Sequence, residues 1–170
     1  MLIRRRQVNC QPFCPGPLNG EYVCTANFCD VVVELLQDKW VKMPTADRLA
    51  DHITAFSAVC DFPQAVGALD GLPFSVSPPK EFAVDYYNYK GWHSMVLLAL
   101  VDHRYRFLYT NVGSRGRCHD ASFTKARSWR SVWAARLSKF PVATINETAV
   151  PPLILCDQAF PLTAHLIKTF

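Results

Sequence analysis

Three aspartates stand where a carboxylate could do chemistry. Asp70 ends the apolar run Ala65-Val-Gly-Ala-Leu69 and is followed by Gly71. Asp157 ends a second run, Leu153-Ile-Leu-Cys156. Asp120 follows His119 and opens a stretch with helical spacing. If the two apolar runs are neighbouring strands, their ends bring Asp70 and Asp157 together. Hard oxygen ligands of this kind hold Mg²⁺ or Mn²⁺. Two such ions about 3.5–4 Å apart activate a water and stabilise the leaving oxygen of a phosphodiester. Strand order cannot be read from spacing, and an aspartate after a strand is also ordinary turn chemistry. A plain helix N-cap equally accounts for Asp120.

The elements that would position these groups follow from apolar periodicity. Residues 1–24, rich in Pro, Cys, Gly and Asn, read as an irregular tail. Residues 25–62 read as a helical region. Phe28, Val31, Val32, Leu35 and Leu36 repeat at helical spacing until Pro44, and Thr45 caps a second helix carrying Leu49, Ile53, Phe56 and Cys60. The two helices are expected to pack as a hairpin, with His52 exposed. From residue 63 to 170 the pattern turns to strands. Ala65–Leu69 is the first, and Phe74 continues it. His93–Val101, almost wholly apolar, suits a central strand buried on both faces. Asp102-His103 makes a turn, and Tyr105–Val112 returns as hairpin partner. A helix follows Asp120, residues 140–152 read as loop, Leu153–Cys156 is a further strand, and Pro161–Phe170 begins a helix or extended arm.

Half of the 170 residues are hydrophobic, enough for a packed core. No apolar run approaches the roughly 18 residues that span a bilayer, so no membrane association is expected. Met1–Arg6 is basic but lacks the apolar segment of a signal peptide, which points to an intracellular chain. Four of the seven cysteines, Cys10, Cys14, Cys24 and Cys29, cluster near the N-terminus. Reduced loop thiols are the simpler reading, and a zinc site the alternative. Charge is uneven: residues 100–140 hold 9 Lys+Arg against 2 Asp+Glu, within a chain of net +4. Such a segment suits a phosphate-facing surface or a solvated basic helix. Arg115, Arg117, Arg127 and Arg130 are the candidate phosphate contacts.

Four stretches then carry a resemblance. Phe62-Pro-Gln-Ala-Val-Gly-Ala-Leu-Asp-Gly71, Tyr86-Tyr-Asn-Tyr-Lys-Gly-Trp-His-Ser94, Val112-Gly-Ser-Arg-Gly-Arg-Cys-His-Asp120 and Leu155-Cys-Asp-Gln-Ala-Phe-Pro-Leu162 stand in one order. That order resembles the Harbinger transposase-derived nucleases of the DDE endonuclease superfamily, from about residue 28 onward. The resemblance implies an α/β, ribonuclease-H-like mixed sheet with flanking helices, in which the first and fourth strands are neighbours. It implies a divalent-metal site (Mg²⁺ or Mn²⁺) on Asp70 and Asp157, a role for Asp120 in or beside it, and hydrolysis of DNA phosphodiesters. It also implies a nuclear location, with the cytoplasm open as well, and in some members a Myb-like DNA-binding partner. The departures are Leu72-Pro73 in place of Thr-His, Tyr89 in place of Arg, and Cys156 in place of Gly. In the family it resembles, the catalytic glutamate lies on a helix well beyond the Asp157 motif. A C-terminally truncated nuclease domain is therefore expected, lacking the fifth strand and the glutamate helix. A catalytically inactive, domesticated remnant that binds DNA or protein is the alternative.

Overall fold

The computed structural model describes residues 20–117 and 137–169. Helix α1 spans Gly20–Trp40 and α2 spans Leu49–Cys60, preceded by a single 3-10 turn, Ala46–Arg48. Strands β1 (Ala65–Ser75), β2 (Ser94–Val101) and β3 (Phe107–Arg115) follow, with the short helix α3 (Ala83–Tyr86) between the first two. After these come β4 (Ala143–Ile145), β5 (Thr148–Val150), β6 (Leu153–Cys156) and β7 (Leu166–Lys168).

Five of these strands form one sheet in the order β3-β2-β1-β6-β7. β1 pairs antiparallel with β2 and parallel with β6, and β7 continues the parallel side. This is a ribonuclease-H-like mixed sheet, with the first and fourth sheet strands adjacent. β4 and β5 stand apart as a two-stranded hairpin.

The core is aliphatic. Val66 and Leu69 of β1, Val96, Leu98 and Leu100 of β2, Ile154 and Cys156 of β6, and Leu49 of α2 are all buried in one cluster. Each fully buried Leu or Ile contributes about 1.5–3 kcal/mol. β2 differs from expectation. Its apolar sequence predicts burial on both faces, yet burial alternates, with Ser94, Val96, Leu98 and Leu100 buried and their neighbours half-buried. The strand lies in a sheet with one tightly covered face. At Gly67 a side chain has no room: an added Cβ would lie 2.6 Å from the carbonyl oxygen of Val101. That close approach is how β1 accommodates strands on both sides at its start.

Four expectations change. Residues 161–169 are neither helix nor arm: a turn held by Thr163, whose hydroxyl accepts from the backbone N–H of His165 and Leu166, launches β7. The fifth strand expected to be missing is thus present, three residues long. Residues 140–152 are not all loop, because Asn146 and Glu147, at φ 47° and 65°, form the tight turn of the β4–β5 hairpin. α1 and α2 do not close as a hairpin: Phe28, Leu35 and Trp40 of α1 remain well exposed. His52 is not exposed; it is half-buried, with its Nε2 2.7 Å from the Val66 carbonyl oxygen.

The Tyr86–Ser94 motif has a structural explanation in Asn88, which is buried. Its Oδ1 accepts from the backbone N–H of Lys90 and Trp92, and its Nδ2 donates to Ser94 Oγ at 2.9 Å. Asn88→Ala leaves two backbone donors and a buried hydroxyl without this partner. It is expected to cost about 2 kcal/mol of stability, read by urea denaturation.

Candidate metal centre

The site is built by the way β1 parts from β6. The two strands pair in parallel through Leu69 opposite Cys156, where β6 ends. Asp70 and Asp157 are the next residues on each strand. Neighbouring strands lie about 4.8 Å apart, so the two residues emerge side by side. β1 itself runs on past Asp70, as Phe74 in the sequence suggests. It continues to Ser75 along β2, with Asp70 opposite Ala99.

Both carboxylates are exposed. Asp70 Oδ1 accepts from the N–H of Gly71, and Asp157 Oδ1 from the N–H of Ala159, each at 2.7 Å. Among the described residues neither Oδ2 has a hydrogen-bond donor. Two outward carboxylates with one oriented and one open oxygen each are a donor set that fits a hard divalent cation. The Asp157 turn is anchored by Phe160, fully buried, and by Thr169, whose backbone N–H donates to the Cys156 carbonyl at 2.9 Å. β7 therefore braces the strand end that presents Asp157.

Cys156, beside Asp157, is not a reactive group. Burial pushes its thiol pKa up, and the neighbouring Asp157 carboxylate adds to the rise. It remains a protonated core residue.

The other predicted residues are spread out. Arg115 is ion-paired with Asp85 and lies over the Tyr86 ring. Arg117 is exposed and donates its backbone N–H to the Asp85 carbonyl at 3.2 Å. With Ala83, Val84, Tyr87 and His93 it lines a hollow of about 400 Å³. That hollow is near the Ser75–Ser94 end of the sheet. Five register positions, about 17 Å, separate it from Asp70, so the hollow is not part of the carboxylate pair. Asp120, Arg127 and Arg130, with the helix expected after Asp120, lie outside the described residues, as do Cys10 and Cys14. Cys24 and Cys29 are exposed thiols on α1 rather than loop residues.

Sequence reasoning missed a second cluster. His52, Asp102 and His103 each offer a ligand atom, and these atoms lie within 4.8 Å of one another. Asp102 was legible only as a turn residue, and it is one. Its Oδ1 accepts from the N–H of Arg104 and Arg106 and its Oδ2 from the Arg106 guanidinium, shaping the β2–β3 turn with Tyr105 at φ 58°. No spacing rule would have joined His52 to it from fifty residues away. Val101 is opposite Ala68, so this cluster is level with Gly67 and about 10 Å along the strands from Asp70.

Burial alone would raise the Asp102 pKa, but the hydrogen bonds from Arg106 and Arg104 outweigh it and hold the carboxyl below its ordinary value. Its contribution to stability is therefore complete at neutral pH. It is lost as pH falls below about 3.9 and through the lower folded value. Urea denaturation between pH 7 and pH 3 should show Asp102→Asn less stable at pH 7 but with a flatter acid limb than the wild type.

A mixed sheet of this order, with a carboxylate pair where its two central parallel strands part, is the framework of metal-dependent nucleases. The family model described as DDE superfamily endonuclease matches residues 69–169, more than half of the chain, and the chain belongs to that family. The family is one of nucleases that use a divalent metal, with DNA as substrate. Neither the curated proteins nor the solved structures contain a match to the chain. Among the described residues no helix is long and apolar enough to cross a membrane.

Proposed function

We propose that this chain is the nuclease core of a transposase-derived protein of the Harbinger group. It hydrolyses DNA phosphodiester bonds at a site where Asp70 and Asp157 hold Mg²⁺ or Mn²⁺. The observation that supports this most is the register of β1 and β6, which end their pairing one residue before both aspartates. When bound, the metal supplies charge for the phosphate oxygens and lowers the pKa of a water. The chain's own part is to present and orient ligands. The Gly71 and Ala159 N–H groups fix one oxygen of each carboxylate, and among the described residues the other has no donor. Asp120 joins or flanks this pair as a further carboxylate.

Arg117, Arg127 and Arg130, and Arg115 where Asp85 releases it, contact the DNA backbone. The excess of basic residues over 100–140 supports this surface. The protein works in the nucleus, with target choice supplied by a Myb-like DNA-binding partner.

Incubation of the chain with supercoiled plasmid and Mn²⁺ is expected to yield nicked circles, with none in EDTA and none from Asp70→Asn. DNA retention with no Mn²⁺ uptake and no nicking would instead assign the chain to the non-cleaving alternative, a DNA- or protein-binding remnant.

A further inference from the structure

We propose that His52, His103 and Asp102 form a zinc site that ties α2 to the β2–β3 turn, separate from the carboxylate pair. The ligand atoms of the three residues already lie within 4.8 Å of one another. Zinc bonds of about 2.0–2.2 Å require them to close by roughly an ångström. The donor set selects the metal, because two imidazoles and one carboxylate suit Zn²⁺, whereas Mg²⁺ prefers oxygen alone.

Each ligand has a reason to be open. His52 Nε2 faces the Val66 carbonyl oxygen at 2.7 Å, and a carbonyl only accepts, so Nε2 carries the proton. Its Nδ1 therefore holds a lone pair. A metal-binding histidine commonly donates its other N–H to a backbone carbonyl in this way, which fixes its tautomer. His103 Nδ1 is buried and has no hydrogen-bond partner, although its Nε2 accepts from Arg104 Nε at 3.2 Å. A buried, unpaired ring nitrogen is unfavourable by about 1–3 kcal/mol. Zinc at Nδ1 removes that cost: the proton shifts to Nε2 and the exposed Arg104 side chain gives up its contact. The two rings stand edge to face with centroids 5.4 Å apart, close enough for one ion to reach both.

Asp102 is the contested ligand. Its Oδ2 accepts from Arg106, whose side chain is 59% exposed and free to leave. Zinc and Arg106 compete for that oxygen.

This competition supplies a test that a purely structural turn would not pass. The full chain is stripped with chelator and titrated with Zn²⁺ by calorimetry, then with Co²⁺ by absorption. One Zn²⁺ per chain is expected. His103→Gln and His52→Gln, the latter keeping an N–H donor for the Val66 carbonyl, should each weaken binding tenfold or more. Arg106→Gln should tighten it several-fold, and Asp70→Asn should leave it unchanged. The Co²⁺ spectrum should lack sulfur-to-metal charge transfer. Unchanged affinity in both histidine variants would overturn the site. So would a thiolate band, which would place the metal on Cys10–Cys29. Weaker binding in Arg106→Gln would exclude Asp102 as a ligand.

Discussion

Asp70→Asn and Asp157→Asn should each remove Mn²⁺ uptake at the parting of β1 and β6 while leaving the fold intact. Asparagine keeps the Oδ1 that accepts from Gly71 or Ala159, so each local turn survives. It replaces the open, charged Oδ2 with an amide that cannot ligate a hard cation. Loss of one carboxylate from a pair should lower affinity by about 100-fold or more, beyond the tenfold to hundredfold typical of outer-shell changes. Stability should move by no more than about 0.5 kcal/mol, since both side chains are exposed. Paramagnetic resonance of free Mn²⁺ reads the first quantity and thermal unfolding the second. Unaltered Mn²⁺ affinity in both variants would refute the site. His52→Gln is the control, expected to leave Mn²⁺ uptake as it was.

The largest loss of stability is expected at Gly116. A Cβ there would lie 2.3 Å from Ser94 Oγ, 2.5 Å from the Tyr86 carbonyl oxygen and 2.7 Å from that of Ser94. Two of these obstacles are backbone, and Ser94 is completely buried, so nothing nearby can turn aside. The Gly116 N–H also donates to the Ser94 carbonyl at 2.8 Å. Gly116→Ala must either push the end of β3 off β2 or break that bond. A loss of about 3 kcal/mol or more in urea denaturation is expected, at the upper end of overpacking costs. Because the chain runs from here to His119-Asp120, Mn²⁺-dependent nicking should fall as well. A loss below about 0.5 kcal/mol would mean that the end of β3 is not held against Ser94.

Legibility in the sequence followed the strength of the local signal. Leu153–Cys156 was read to the residue, because four consecutive apolar residues between Pro152 and Asp157 admit little else. β2 was placed within one residue for the same reason. The adjacency of β1 and β6 came from family resemblance rather than periodicity, since no local pattern encodes which strand lies beside which. β7 was missed because three residues are too few to show a period. The β4–β5 turn was missed because Glu147 adopts a positive φ where glycine is the usual marker. His52 was misjudged because its partner, the Val66 carbonyl, is a backbone group with no signature in sequence. Asp70 and Asp157 stood out because each follows an apolar run, whereas the histidine cluster depended on tertiary placement.

The unequal lengths of β1 and β6 have a consequence for self-association. Past Asp70, β1 keeps β2 on one side, but β6 no longer covers the other. Among the described residues no strand pairs with 71–75 on that side, and Leu72 and Phe74 are about half exposed. A second copy could zip onto such a margin by strand addition. Pro73 stands in the middle of it, and a proline has no N–H to give an incoming strand. Leu72-Pro73 therefore interrupts the row of N–H donors that an incoming strand would need along the flank beside the carboxylates.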